Sequence, residues 1–284
     1  MSLVGPALAG LLFLIAGCAF AQGDAKRGEY LSKAAGCLGC HTEAIDKAVA
    51  YAGGRALKTP FGTFYGPNIT PHPQAGIGKW SESDFVRAMR EGRRPDGAHY
   101  FPAFPYPSFT RIVDSDLRDL WAYLRSLAPS SRPSEPHDLG VFFRWRFLVG
   151  IWKWLFFTSG AFVADAGKTS VLNRGAYLVQ ALGHCGECHT PRNFLGAPKK
   201  SRFLAGAKMA EGAGAPNLTP ERLGKQSDAE LKDFLRTAMT PDGDVAAESM
   251  AEVVRNTTGQ LTPQDLDALV AYLRSLPPLP EEQK

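Results

Sequence analysis

The stretch Cys37-Leu38-Gly39-Cys40-His41 returns later in the chain as Cys185-Gly186-Glu187-Cys188-His189. In a Cys-x-x-Cys-His motif, two thiols on one helical turn reach the two vinyl groups of a haem, and the adjacent histidine faces the iron. We therefore expect two covalently bound haem c groups in this chain. The expected attachment residues are Cys37, Cys40, Cys185 and Cys188, and the expected iron ligands are His41 and His189.

Other uses of paired cysteines fit this chain poorly. A zinc site would need its two pairs about 15–20 residues apart, whereas Cys40 and Cys185 are 145 positions apart. A thioredoxin-like motif would lie in a βαβ pattern, which the sequence does not show. Disulfides between cysteines only three positions apart are also disfavoured. Covalent haem attachment is therefore the expectation for both motifs.

The two motifs belong to a larger internal repeat. Three landmarks occur twice, in the same order and with nearly the same spacing. They are Arg27–Leu31 and Arg174–Leu178, Pro67–Pro71 and Pro216–Pro220, and Asp116–Pro129 and Asp265–Pro278. A unit of about 110 residues has the usual size of a domain, so the sequence indicates a duplicated domain.

Each repeat has the pattern of a small all-α domain with long loops. Apolar residues at helical spacing precede each cysteine motif and recur in the last segment of each repeat. Capping patterns predict short helices that begin near Ser81 and Ser227, and no run alternates convincingly. We predict domains at 23–130 and 167–280, an aromatic-rich linker at 131–166 and a signal peptide at 1–21.

The N-terminal segment is typical of an export signal. An apolar run at 8–16 is followed by small residues, and Ala19-Phe20-Ala21 fits the A-x-A cleavage rule. Alternatively, Ile15-Ala16-Gly17-Cys18 resembles a bacterial lipoprotein signal, in which Cys18 would become the lipidated first residue. Either kind of signal would place the mature protein in the periplasm, soluble or attached to the membrane through a lipid on Cys18.

The composition excludes several classes of protein. With 44% hydrophobic and 21% charged residues among 284, the chain is globular and neither disordered nor collagen-like. Beyond the N-terminus no uncharged stretch is long enough for a membrane span, which argues against a polytopic membrane protein. A formal charge of +4 is too weak to indicate nucleic acid as a partner.

Of the five methionines, Met250 is the best placed to bind iron opposite a histidine. It precedes the last helix, where a loop should return over the second haem, so we predict it as the sixth ligand there. Met89 and Met239 are expected to pack on the apolar faces of short helices. The first repeat lacks a matching methionine. Counting from the shared Pro-Asp-Gly places Phe104 at that position, and counting back from the last helices places Phe101 there.

The sixth position of the first haem therefore stays open. His99 lies in the same loop and has the chemistry of a ligand, but we favour a surface role for it. Without His99, a water or an incoming small molecule would occupy the sixth position. The two haems should therefore differ.

Several specific motifs extend over nearly the whole mature chain. They are TPFG at 59–62, NITP at 68–71, YFPAFPY at 100–106, GHCGECHTPRN at 183–193 and MAEVV at 250–254. Together they resemble the cytochrome c subunits of bacterial membrane-associated alcohol, sorbitol and gluconate dehydrogenases. The resemblance implies two tandem class I cytochrome c domains that take electrons from a partner dehydrogenase. Methionine is common in that family at the position of Phe104, so methionine ligation does not carry over to the first haem.

The segment 141–157 (VFFRWRFLVGIWKWLFF) holds 8 of the 30 aromatic residues of the chain. Its cations, Arg144, Arg146 and Lys153, argue against a membrane span. One interpretation is a segment that lies on anionic lipid, with aromatic rings inserted and cations at the headgroups. The interpretation we prefer is a linker packed across both domains. A docking surface for a dehydrogenase is a third.

The leading functional hypothesis is a periplasmic dihaem electron-transfer subunit without substrate chemistry of its own. Its donor would be the catalytic subunit of a periplasmic dehydrogenase, and its acceptor quinone or a downstream cytochrome. The alternative is an oxidoreductase whose first haem, with an open or unusual sixth position, acts on a small molecule of the thiosulfate or peroxide type.

Overall fold

A computed structural model describes residues 23–208, 214–240 and 242–281. The expected signal peptide at 1–21, including Cys18, lies outside the described residues, and so does Met209. Within the described part of the chain, no helix is both long enough and apolar enough to cross a membrane.

Two helical units of the same plan are joined by a helical linker. The first unit contains α1 (Ala25–Ala34), α2 (Cys37–His41), α3 (Glu82–Glu91), α4 (Tyr106–Phe109) and α5 (Asp114–Ser126). The linker contains a 3-10 helix (Val141–Arg144) and α6 (Arg146–Phe156). The second unit contains α7 (Ser170–Tyr177), a π-helical turn (Leu178–Leu182), α8 (Gly186–His189), α9 (Pro220–Leu223), α10 (Asp228–Thr237), α11 (Glu248–Asn256) and α12 (Pro263–Ser275). Short 3-10 turns lie at Lys200–Arg202 and Thr258–Gln260.

Two small antiparallel sheets depart from the all-α prediction. β1 (Ala56–Thr59) pairs with β2 (Gly62–Tyr65), and β2 pairs with β3 (Asp138–Leu139) at the start of the linker. In the second unit β4 (Ala207–Lys208) pairs with β5 (Gly214–Ala215). Strands of two to four residues are too short to show an alternating pattern, which is why the sequence did not reveal them.

Capping boxes begin two helices where the sequence predicts them. At the start of α3, the Ser81 hydroxyl accepts the Asp84 backbone N–H, and the Asp84 carboxylate accepts the Ser81 N–H. Ser227 and Glu230 make the same pair of bonds at the start of α10. These bonds satisfy N–H groups that have no partner within the helix. Both predicted helix starts are confirmed.

In each unit the first helix crosses the last one at a glycine. A Cβ atom on Gly28 would lie 1.9 Å from the backbone oxygen of Asp119 in α5, and one on Gly175 would lie 2.0 Å from that of Ala268 in α12. Only glycine allows the two backbones to approach this closely. The cores around the two crossings contain fully buried leucines, namely Leu31, Leu117, Leu120, Leu178 and Leu266.

The linker helix α6 has one buried face and one exposed face. Val149 and Lys153 are buried, and Lys153 donates to the carbonyls of Glu91 and Gly92 at the C-terminal end of α3. A cation is favourable there because the last carbonyls of a helix carry partial negative charge. The outer side of α6 and the residue before it expose apolar side chains, namely Trp145, Phe147, Ile151, Trp154 and Leu155.

Candidate haem sites

Each cysteine pair spans about one turn of a short helix. Cys37 and Cys40 lie within α2, while Cys185 precedes α8 and Cys188 lies within it. All four are free thiols. Burial raises the pKa of Cys37 to about 11 and that of Cys185 to about 12, so both thiols are protonated at neutral pH. Two free thiols one turn apart are what attachment to two vinyl groups requires.

A backbone carbonyl holds the histidine that follows each cysteine pair. His41 Nδ1 lies 2.8 Å from the Pro67 carbonyl oxygen, and His189 Nδ1 lies 2.7 Å from that of Pro216. With Nδ1 as the donor, Nε2 keeps the lone pair that binds a metal. Burial lowers the pKa of both histidines, which favours the neutral, ligating form of each ring.

A buried asparagine sets the position of each proline carbonyl. Asn68 Oδ1 accepts the backbone N–H of Thr70 at 2.9 Å, and its amide donates to two carbonyls of the segment that follows α5. In the second unit Asn217 accepts the Thr219 N–H at 2.7 Å and donates to the segment that follows α12. The repeated Pro-Asn-x-Thr landmark thus pins the loop that orients the histidine.

The structure corrects the predicted settings of two methionines. Met250 lies in helix α11 and not in a loop, and it packs, half-buried, against the hydrophobic core. Two positions later, Glu252 pairs with Arg55 of the first unit at 2.6 Å. Because positions two apart point in nearly opposite directions on a helix, Met250 faces the interior of the second unit. Met89 is buried as predicted, whereas Met239 lies beyond the end of α10 and is 43% exposed, so its predicted packing is wrong.

In the first unit Phe104 and Phe101 are both half-buried, but Phe104 packs against the hydrophobic core whereas Phe101 packs beside β2. Phe101 packs against Phe64 of β2, with ring centroids 5.5 Å apart. Phe104 packs into an aromatic cluster with centroid distances of 5.3, 5.8 and 6.3 Å to Tyr100, Phe109 and Tyr106. Of the two ways of counting, the one from Pro-Asp-Gly therefore gives the residue that packs inward, as Met250 does.

His99 is turned toward the linker. A Cβ atom on Gly150 of α6 would lie 3.0 Å from its Nε2, so the ring rests against that helix. Its Nδ1 is buried without a hydrogen-bond partner. Burial and the nearby cations Lys153 and Arg93 lower the pKa of His99. The ring therefore packs against α6 and is not free on the surface, contrary to the role we favour from the sequence, and the alternative of iron ligation by His99 stays untested.

Sequence reasoning missed the residues that join the two units beside the cysteine motifs. Ser108 Oγ donates at 2.7 Å to Glu187, which lies inside the second motif. The His184 ring, just before that motif, packs edge-on against Phe109 with centroids 5.4 Å apart. These contacts connect different repeats, so no pattern within one repeat reveals them. One signal was available in the sequence. Glu187 and His184 stand at positions where the first repeat has glycines, Gly39 and Gly36.

A family model for cytochrome c matches the chain twice, at residues 25–128 and 172–277. Among curated relatives, a "Diheme cytochrome c-type" protein of Cereibacter sphaeroides is 45% identical over 90% of this chain and 86% of its own length. The fructose dehydrogenase cytochrome subunit of Gluconobacter japonicus is 42% identical over 88% of this chain and 52% of its own length. The cytochrome c subunit of the quinone alcohol dehydrogenase of Komagataeibacter europaeus is 37% identical over 95% of this chain and 61% of its own length.

This chain thus spans most of the Cereibacter protein, but less than two thirds of the two dehydrogenase subunits. The two family matches cover both helical units. In each unit the donor set fits a haem c, with two free thiols and an imidazole whose Nε2 is left open. The chain therefore belongs to the cytochrome c family and carries two covalently bound haem c groups.

Proposed function

We propose that this chain is a periplasmic electron-transfer subunit. It accepts electrons from the catalytic subunit of a dehydrogenase and passes them to quinone or another cytochrome. Relatives named as cytochrome subunits of fructose and alcohol dehydrogenases support this proposal, and so does the export signal expected at 1–21. The observation that carries it is the pair of matched sites, each with a histidine held through Nδ1 by a proline carbonyl.

In this proposal the attachment residues are Cys37, Cys40, Cys185 and Cys188, the proximal ligands are His41 and His189, and Met250 is the sixth ligand in the second unit. Haem c supplies a one-electron couple, whose potential the protein tunes through ligands and burial. The proline carbonyls stop the imidazole rings from rotating. The His189 residue is buried, at 8% exposed, whereas His41 is half-buried.

The test combines the purified holoprotein with the dehydrogenase catalytic subunit whose gene neighbours its own. Adding that enzyme's substrate should reduce both haems, which is followed by absorbance. A quinone analogue or a soluble cytochrome should then reoxidise them. Failure of the substrate to reduce either haem would contradict the proposal.

The assignment of Met250 is tested by Met250→Leu. Loss of methionine ligation should lower the midpoint potential of one haem and leave the other unchanged in a redox titration. Met89→Leu is the matched control, because Met89 is buried in the core of the first unit and should leave both potentials unchanged. If Met250→Leu and the wild type have equal midpoint potentials, Met250 is not the sixth ligand.

Phe104 favours a second candidate function, an oxidoreductase acting on a small molecule of the thiosulfate or peroxide type at the first haem. A phenyl ring cannot bind iron, and Phe104 packs inward as Met250 does in the second unit. Carbon monoxide binding, or a high-spin ferric EPR signal at one haem, would support an open site. Phe104→Met should abolish both signals, whereas His99→Ala should keep them. Two low-spin haems in the wild type would rule this function out.

We also propose that the outer face of α6 attaches the protein to a membrane surface. Trp154 is 83% exposed and Phe147 is 63% exposed, and a contiguous apolar face on a protein surface usually marks a binding site. The cations Arg146 and Lys153 do not lie on this face, because they donate to backbone carbonyls of the first unit. Binding should therefore depend on inserted aromatic rings more than on anionic headgroups.

Sedimentation with phosphatidylcholine vesicles tests this attachment. Trp154→Ser should weaken binding, whereas Val163→Ser should not, because Val163 is equally exposed (84%) but lies outside α6. Binding that requires anionic lipid and disappears in salt would contradict the aromatic mode. The mass of the mature protein shows separately whether Cys18 is lipidated or removed with the signal peptide.

A further inference from the structure

Two tyrosines at equivalent positions of the repeats each form a hydrogen bond with the other unit. Tyr30 of α1 donates its hydroxyl proton to Asp265 of α12 at 2.5 Å, and Tyr177 of α7 donates to Asp116 of α5 at 2.9 Å. Each hydroxyl also accepts the backbone N–H of the residue just before the same helix, at 3.3 and 3.2 Å. The exchange is reciprocal, as at a two-fold interface between identical subunits.

An arginine of its own unit also holds each of these aspartates. Arg174 donates to Asp265 through Nε and Nη2 at 2.7 and 2.6 Å, and Arg27 pairs with Asp116. Asp116 is only 1% exposed and Asp265 8% exposed, so each buried charge is compensated inside its unit. Removing a tyrosine hydroxyl therefore removes one hydrogen-bonded link between the units and leaves the ion pair within each unit in place.

The tyrosines lie on the helices that lead into the cysteine motifs. Tyr30 is in α1, directly before α2, and Tyr177 ends α7, which continues through the π-helical turn toward α8. Both motifs also contact the opposite unit. A Cβ atom on Gly39 would lie 3.7 Å from Glu252 of α11, and Glu187 accepts the hydroxyl of Ser108. The two motifs thus lie at the same interface that the tyrosines fasten.

We propose that Tyr30 and Tyr177 are positioning residues that fix the separation of the two haem sites and so set the rate of electron transfer between them. The proposal rests on the electron-transfer function given above. In this step one electron leaves the reduced site of one unit and reduces the oxidised site of the other, with no transfer of atoms. Because electron tunnelling weakens steeply with distance, a looser interface slows the step without changing the ligands of either iron.

The test compares the wild-type holoprotein with Tyr30→Phe, Tyr177→Phe and the double variant. One electron is injected photochemically, and its redistribution between the haems is followed by absorbance. Redistribution should be about tenfold slower in the double variant and less slowed in each single variant. The midpoint potentials and spectra of both haems should not change. Tyr272→Phe is the matched control with wild-type kinetics expected, because Tyr272 accepts from Gln180 within the second unit.

A wild-type rate in the double variant would overturn the proposal, and so would a wild-type protein in which no electron passes between the haems. These results are independent of the dehydrogenase assay. The dehydrogenase could reduce the protein while the rate of electron transfer between the haems is the same with and without the tyrosine hydroxyls. That result would keep the proposed function and refute this inference. If the double variant fails to incorporate haem, the single variants decide, because each keeps one of the two reciprocal bonds.

Discussion

Gly28 and Gly175 have only a hydrogen atom as a side chain, which allows α1 to contact α5 and α7 to contact α12. Gly28→Ala should gain about 1 kcal/mol of helix propensity, but its methyl group would lie 1.9 Å from the backbone oxygen of Asp119. Backbone atoms inside a helix cannot yield as a flexible side chain does, and overpacking costs about 1–3 kcal/mol or more. The overpacking cost should exceed the gain, so we expect a lower free energy of unfolding in denaturant titrations of the holoprotein.

The second unit and a loop glycine provide the comparison. Gly175→Ala should destabilise the protein as Gly28→Ala does, because its methyl group would meet the backbone of α12 at 2.0 Å. Gly167→Ala should be close to neutral, because the nearest atom is an oxygen of the Asp165 carboxylate, at 3.3 Å, on an exposed side chain that can shift by a few tenths of an ångström. If all three variants were equally stable, the glycines would not be required at the crossings.

Single residues differ in how far the sequence reveals them. His41 follows from its motif alone, because covalent attachment fixes the spacing of the cysteines and the histidine. The repeat shows that Tyr30 and Tyr177 are equivalent, but a pattern within one repeat cannot indicate a partner in the other. Phe104 is intermediate, since two ways of aligning the repeats place different residues opposite Met250 and packing distinguishes them.

At the scale of elements, the Pro-Asn-x-Thr loops determine the site geometry as much as the helices do. Asn217 is fully buried, and Asn217→Ala removes the acceptor of the Thr219 N–H and leaves the Leu279 carbonyl without that donor. An unsatisfied buried polar group costs about 1–3 kcal/mol. We expect a lower unfolding temperature and, because the Pro216 carbonyl shifts, a changed midpoint potential at the second haem.

The equivalent loop of the first unit supplies the control. Asn68→Ala should change the potential of the first haem and leave that of the second, the reverse of Asn217→Ala, in a redox titration of each holoprotein. Equal shifts of both haems in either variant would mean that the loops act through global stability and not through the neighbouring histidine.

Helices and strands also differ in how well the sequence predicted them. Capping signals located the starts of α3 and α10 because a capping box is a local interaction between a residue and the third one after it. The sequence did not predict the strands β1 to β5 because their pairing joins short segments, one of which, β3, comes from the linker. The sequence did not predict helix α11, which contains Met250, because a segment of nine residues gives only a weak periodic signal.

At the scale of the whole molecule, the chain is built like a symmetric dimer made from one polypeptide. The exchange of tyrosines between the units is reciprocal, whereas the linker and the contacts around Phe104 and Met250 are not. The tyrosine bonds therefore join the units symmetrically, whereas the Ser108–Glu187 bond joins them at one site only. Under the proposed function, two unlike sites at a fixed separation suit a carrier that receives electrons at one site and releases them at the other.

The interface between the units should weaken in acid. Burial raises the pKa of Asp265, but hydrogen bonds from Arg174 and Tyr30 outweigh this effect and hold the pKa below its ordinary value. The stabilisation is therefore fully present above the unfolded value of about 3.9 and is lost as pH falls through the lower folded value. Asp265→Asn cannot ionise, so between about pH 5 and pH 3 its unfolding temperature should fall less steeply than that of wild type. An equally steep fall in Asp265→Asn would show that Asp265 is not the group responsible.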